Sequence, residues 1–153
     1  MGTAAADRPP PRVLKFANRV LERVLARGKG PPFLRLLTVA GRRTGTPRTT
    51  PVAPVFGDDG SVWLVAAYGD TGWARNVRAA GWVELRRGDD RTRYDARELD
   101  AVAAAPVLRA YLAKATSLFV RRHFAVTARS TDAEIAAEAP RHPTFALTRV
   151  VEQ

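Results

Sequence analysis

The 153-residue sequence reads as an α+β chain, mainly β, in which about six antiparallel strands close into a small barrel with an N-terminal amphipathic helix and one or two further helices. Two features carry that reading. Strand candidates follow one another through short Gly/Asp turns with no crossover helix between them, which favours antiparallel pairing. Two sets of strands flank a single short helix, and closing them on themselves removes exposed edges.

From Arg12 to Arg27, Val13, Phe16, Ala17, Val20, Leu21 and Val24 recur at helical spacing, with Lys15, Arg19, Glu22 and Arg23 opposite. "RGKGPP" then stops the helix. Such a helix either covers the core or rests as a basic amphipathic element on anionic lipid, and the first is expected. "FLRLLTVA" (33–40) is a strand candidate. "RTTPVAPVF" (48–56) alternates, but Pro51 and Pro54 confine it to an edge or a bulge. "GDDG" (57–60) is a turn, and "SVWLVAAY" (61–68) a nearly continuous apolar strand. "GWARNVRAAG" (72–81) is a short helix ended by Gly81. "WVELRRG" and "RTRYDARELD" form a hairpin about Gly88, Asp89 and Asp90. Residues 101–119 are helical with Asp100 as N-cap, and "PTFALTRVVE" (143–152) closes the chain with a strand.

Hydrophobic residues make up 46 % and charged residues 26 %, ordinary globular usage. One domain over 12–153 is expected, preceded by a short disordered lead over 1–11 that lacks the apolar centre of a secretory signal. No apolar run reaches membrane-spanning length, and a cytoplasmic setting is expected, with peripheral contact to anionic membrane through 12–27 as the variant. With no cysteine, disulfides, thiolate nucleophiles and cysteine metal sites are excluded. A net charge of +10 favours anionic partners. Only three of the 25 basic residues are lysine, so arginine usage reflects composition and local clusters carry more meaning than the total. His123 and His142 lie in different segments without ligand spacing and are expected to be solvated surface side chains; no metal is expected. No G-x-S-x-G elbow, Walker A motif or G-x-G-x-x-G fingerprint is present.

Two stretches stand out. "AGRRTGTPRTTPV" (40–52) holds Arg42, Arg43 and Arg48 with two glycines, four threonines and no acid. Gly41 and Gly45 permit positive φ and close backbone approach, the guanidinium forks suit phosphate or carboxylate, and Thr44, Thr49 and Thr50 add hydroxyls. Physics alone leaves two readings level: a cradle for a polyanion, or a solvated hairpin loop. "AAYGDTGWARN" (66–76) ends a buried strand at Ala67, turns at Tyr68 and Gly69, and sets Trp73 and Asn76 on one face of a short helix. A flat aromatic and an amide beside strand-end backbone suit a planar heterocycle; equally, Trp73 is a core anchor and Asn76 caps a turn.

Together, "LLTVAGRRTGTPRTTPV", a strand, "AAYGDTGWARNVRAAG" and two further strands resemble the deazaflavin-dependent nitroreductase family over about Phe33 to Leu99. The resemblance implies a split β-barrel of the FMN-binding type and coenzyme F-420, a deazaflavin with a phosphate-linked oligoglutamate tail. It implies that Arg42, Arg43, Thr44, Gly45 and Arg48 hold the tail, while Thr49, Thr50, Pro51, Val52 and Ala53 run along the ring and ribityl chain. Ala66, Ala67, Tyr68, Gly69, Trp73 and Asn76 would surround the ring. Hydride transfer to a small organic acceptor (quinone, enone or nitro compound) is then expected. Tyr68, Tyr111 or solvent would serve as proton donor, and Ser117, Phe119 and His123 as acceptor-pocket residues. The rival readings are an FMN-binding reductase on the same barrel and a non-catalytic F-420-binding protein. A nucleic-acid partner ranks last, because Trp63 and Trp82 sit in apolar strand contexts. The expected state is monomer or homodimer.

Overall fold

The structure, a computed structural model, describes residues 12–114 and 118–152; the expected lead over 1–11 and Ser117 lie outside the described residues. Seven strands form one wholly antiparallel sheet: β1 (Arg35–Ala40), β2 (Pro47–Val52), β3 (Val55–Phe56), β4 (Val62–Val65), β5 (Trp82–Arg87), β6 (Asp90–Glu98) and β7 (Thr144–Arg149). Their order is β2-β1-β5-β6-β7-β4-β3. The helices are α1 (Arg12–Ala26), α2 (Gly72–Ala80), α3 (Ala101–Lys114), α4 (Leu118–Arg121) and α5 (Asp132–Glu138), followed by a 3-10 turn over Ala139–Arg141.

The expected strand over 48–56 divides in two, and its halves lie at opposite ends of the sheet order. Only Ala53 and Pro54 join them. Laid flat, seven strands about 4.8 Å apart would hold those edges about 29 Å apart, whereas three Cα steps of about 3.8 Å reach at most about 11 Å. The sheet therefore curls until its edges nearly meet. No ladder joins β2 to β3 among the described residues, so the barrel is split rather than sealed. Proline is tolerated in β2 because that strand is an edge.

Alternation along the strands fills two cores. Leu37, Val39, Leu64, Val83, Phe145 and Leu147 point into the barrel, with Ala74 and Val77 of α2 closing one end. Val55 and Val65 face outward under α3 and α5, against Leu108, Ile135 and Ala139. The unbroken apolar run in β4 follows from this: Val62 and Leu64 serve the barrel while Val65 serves the helical layer. Gly81 closes α2 at φ 75, a left-handed C-cap, and Asp100 Oδ1 caps α3 by accepting the Ala103 N–H at 2.8 Å.

The expected helix over 101–119 is described from Ala101 to Lys114, with 118–121 helical as α4 and 115–117 outside the described residues. Two expectations change. Helix α5, opened by Thr131, whose hydroxyl accepts the Glu134 N–H, was not anticipated; its sequence is short and alanine-rich. Helix α1 covers the core only with its last turn. Leu25 is fully buried and Leu21 and Val24 half-buried, but Phe16 is 70 % exposed and Val20 45 %. The expected apolar face thus stands exposed at Phe16, Ala17 and Val20. Leu25→Ala should lower unfolding free energy by about 2–4 kcal/mol in urea titration, whereas Phe16→Ala should stay within about 0.5 kcal/mol.

Candidate functional site

The turn between β1 and β2 is narrow and glycine-dependent. Gly41 N–H donates to Thr46 O and Gly45 N–H to Gly41 O, both at 2.8 Å. Gly45 sits at φ 73. A Cβ on Gly41 would lie 3.1 Å from Thr46 O and 3.6 Å from the Arg48 side chain. Thr44 Oγ1 accepts the Thr46 N–H at 3.3 Å, and Thr49 shares a hydroxyl–hydroxyl bond with Thr38 at 3.0 Å. Arg42, Arg43 and Arg48 are all exposed, and no carboxylate pairs with them among the described residues.

The second stretch approaches the first directly. Asn76, buried on α2, accepts two hydrogen bonds at Oδ1, each 3.0 Å: one from the Arg42 backbone N–H and one from Arg42 Nη1. A neutral oxygen thus pins the basic turn without neutralising it. Trp73 is partly buried, with its ring 6.3 Å from Phe145, which joins the core-anchor reading to the site reading. Between β4 and α2 the backbone bends sharply. Ala67 N–H donates to Val65 O, Gly69 N–H to Ala66 O, and Gly69 takes φ 100. At the start of α2 the Thr71 hydroxyl is buried without a hydrogen-bond partner.

Beyond the bend lies an aromatic group. Tyr68 meets His123 edge-on at 4.7 Å, and Tyr111 lies 6.0 Å from Phe124. Burial pushes the Tyr68 phenol above its ordinary range. Burial, reinforced by Tyr68, pushes that of Tyr111 up to about 12. Both therefore remain proton donors at neutral pH. Phe119 falls in α4, and Ser117 lies outside the described residues.

His142 is not a solvated surface side chain. It is buried, with Nδ1 2.9 Å from Ala67 O and Nε2 2.9 Å from Oε1 of buried Glu138, and the Phe124 ring stacks on it at 3.9 Å. The stretch "EIAAEAPRHP" carried the signal: Ile135, Glu138, Ala139 and His142 are spaced as one helical face that also takes Ile135 and Ala139 into the core. His123 is exposed as expected. No group of three potential metal-ligating side chains occurs among the described residues. The Arg42–Asn76 bond spans 34 positions and leaves no local trace in the sequence.

The family model for F420H(2)-dependent quinone reductase matches residues 17–138. No curated protein matches the chain. Among solved structures, an F420-H2 dependent reductase is 23 % identical, with 76 % of this chain and 94 % of that one covered at TM-score 0.50. A domain-swapped dimer is 22 % identical, covering 89 % and 99 % at TM-score 0.54. A pyridoxamine 5′-phosphate oxidase-related, FMN-binding protein of Nostoc punctiforme is 12 % identical, covering 95 % and 83 % at TM-score 0.55. These likenesses establish the split-barrel fold. No described helix is long and apolar enough to cross a membrane.

Asn76→Ala should leave the buried end of the Arg42 turn without its acceptor. A loss of about 1–3 kcal/mol in urea unfolding is expected, with faster amide exchange across 41–46. Because Tyr111 binds its proton more tightly folded than at the ordinary 10.0, its contribution to stability is full below about pH 10. That contribution is lost as pH rises towards 12, and Tyr111→Phe should flatten the decline in stability measured across that window.

Proposed function

The chain belongs to the F420H(2)-dependent quinone reductase family, and from that membership we propose that residues 40–53 and 66–76 together bind coenzyme F-420 in this protein. The family reaction is hydride transfer from reduced F-420 to an acceptor. The observation that carries the proposal is the Arg42–Asn76 pin. It unites the two stretches and leaves three guanidinium groups at the mouth without an acidic partner among the described residues.

The residues present fit the coenzyme. Its phosphate and glutamates match the forked donors of Arg42, Arg43 and Arg48 and the Thr44 hydroxyl, with Gly45 supplying the turn. Thr49, Thr50, Pro51, Val52 and Ala53 line the path toward the bend. The planar ring end fits Ala66, Ala67, Tyr68 and Gly69, and the orphaned Thr71 hydroxyl at the start of α2 is a buried polar atom in want of a partner there. Trp73 and Asn76 hold the wall from behind. When bound in reduced form, the coenzyme supplies the hydride.

The chain's own part is placement and protonation. A small organic acceptor would stack beside the bend against the exposed Tyr68–His123 pair. Tyr68 is the better placed proton donor: the residue is 49 % exposed and its phenol is protonated, whereas Tyr111 is half-buried and packs against Phe124. For Phe119 and Ser117 the acceptor-pocket role rests on the sequence resemblance alone.

Fluorescence titration tests the binding reading. Replacing Arg42, Arg43 and Arg48 together by serine should weaken F-420 affinity by roughly 10- to 100-fold while melting temperature holds. A deazaflavin without the phosphate and glutamates should bind variant and wild type alike. Tighter binding of FMN than of F-420 would overturn the assignment. Tyr68→Phe should lower kcat by roughly 100-fold or more with unchanged F-420 affinity; unchanged kcat would remove it as donor, and absence of turnover with any quinone or enone would favour a carrier.

A further inference from the structure

The buried Glu138–His142 pair has no part in the site as proposed, yet one of its contacts reaches the bend. Its protons can be counted from geometry. Nδ1 faces the Ala67 carbonyl at 2.9 Å, which has no proton to give, so Nδ1 carries one. Glu138 Oε1 already accepts the Ala125 N–H at 3.2 Å, and it lies 2.9 Å from Nε2. The Glu138 oxygen thus meets one backbone donor and the second ring nitrogen, which fixes the ring from the side opposite Ala67.

The ring cannot turn. Phe124 stacks on it within 17° of parallel at 3.9 Å. Its backbone is tied as well: His142 N–H donates to Ala139 O at 3.0 Å, and Thr144 Oγ1 donates to His142 O at 2.9 Å. One residue on, Pro143 O accepts the Ala66 N–H at 2.9 Å. The bend is thus held at consecutive residues by one rigid segment. All described peptides are trans, so a carbonyl and the following N–H point in opposite directions. Holding Ala67 O towards His142 therefore directs the Tyr68 N–H away from it.

We infer that His142, fixed by Glu138, is a positioning residue: by gripping the Ala67 carbonyl it sets the orientation of the peptide that carries Tyr68 and so the shape of the ring end of the site. This rests on the F-420 reading for its functional consequence, but not for the grip itself. It differs from ordinary core packing because it depends on a donor at the δ position of residue 142, not on volume alone.

Two substitutions separate these. His142→Asn keeps an amide N–H at the δ position, whereas His142→Gln moves the amide one bond further and leaves Ala67 O without its donor. Without cofactor, amide hydrogen exchange over 66–69 should quicken by about tenfold or more in His142→Gln and stay within about threefold of wild type in His142→Asn. The F-420 dissociation constant should rise about tenfold in the first and hold in the second. Equal behaviour of the two variants in exchange, or faster exchange with unchanged affinity, overturns the inference. If His142→Gln does not fold, His142→Asn decides alone: exchange over 66–69 should stay within about threefold of wild type with F-420 affinity unchanged, and about tenfold weaker binding overturns the inference. Wild-type protein that fails to bind F-420 overturns the cofactor reading instead, and the exchange comparison still decides whether His142 holds the bend.

Discussion

Two residues, Ala53 and Pro54, tie together the outermost strands of a seven-stranded sheet. That short tether is a distance constraint no flat sheet satisfies, so curvature is imposed by covalent reach rather than by preference of any strand. Everything at the mouth follows from the closure. The β1–β2 turn, the end of β4 and the start of β7 come to one rim, and α2 lies across the end of the barrel with Ala74 and Val77 in its core. A buried Asn76 then meets Arg42 because the helix that carries it is anchored by apolar side chains on either side.

The electrostatics of that rim are unusual in what they omit. Three guanidinium groups in seven residues repel one another, and an exposed carboxylate partner would offset this by only about 0–1 kcal/mol each. The chain forgoes that small gain. It uses instead one amide oxygen, which satisfies a part-buried backbone N–H and a guanidinium donor together while adding no negative charge. Elsewhere some arginines pair with carboxylates, Arg75 and Arg78 with Asp70, Arg78 with Glu98 and Arg109 with Asp132, while Arg35, Arg86 and Arg87 bond backbone carbonyls.

Much of this was legible in the sequence, and what was not has a physical cause. Gly81 ending α2, Asp100 capping α3, and Pro51 and Pro54 forcing an edge are local rules, and each is obeyed. The division of 48–56 between two edges is a property of topology, visible only once the order of strands is known. Phe16 and Val20 follow a helical period faithfully, but a period reports that a face is apolar and not what covers it. The two stretches at the rim were picked out by their composition; the bond between them was not, because nothing in 34 residues of intervening sequence registers a hydrogen bond across the end of a barrel. His142 was misjudged as surface because a lone histidine carries no sign of its depth, although its spacing from Ile135 and Glu138 did.

On the proposed reading, the two ends of the site work under different dielectric conditions, and their residues differ accordingly. At the exposed tail end, contacts are screened, so specificity must come from several weak charge contacts summed over one flexible polyanion, assisted by the field of a chain carrying +10. At the ring end, burial already lifts the Tyr68 and Tyr111 phenols and encloses Glu138 and His142, so each polar contact is strong and direction matters more than number. A misplaced guanidinium at the tail can be compensated by its neighbours. A peptide rotated at Ala67 cannot, because the groups there are few, rigid and desolvated. That asymmetry explains why the exposed end is built from long mobile side chains on a glycine turn, while the buried end is built from backbone locked by an imidazole, a carboxylate and a stacked ring.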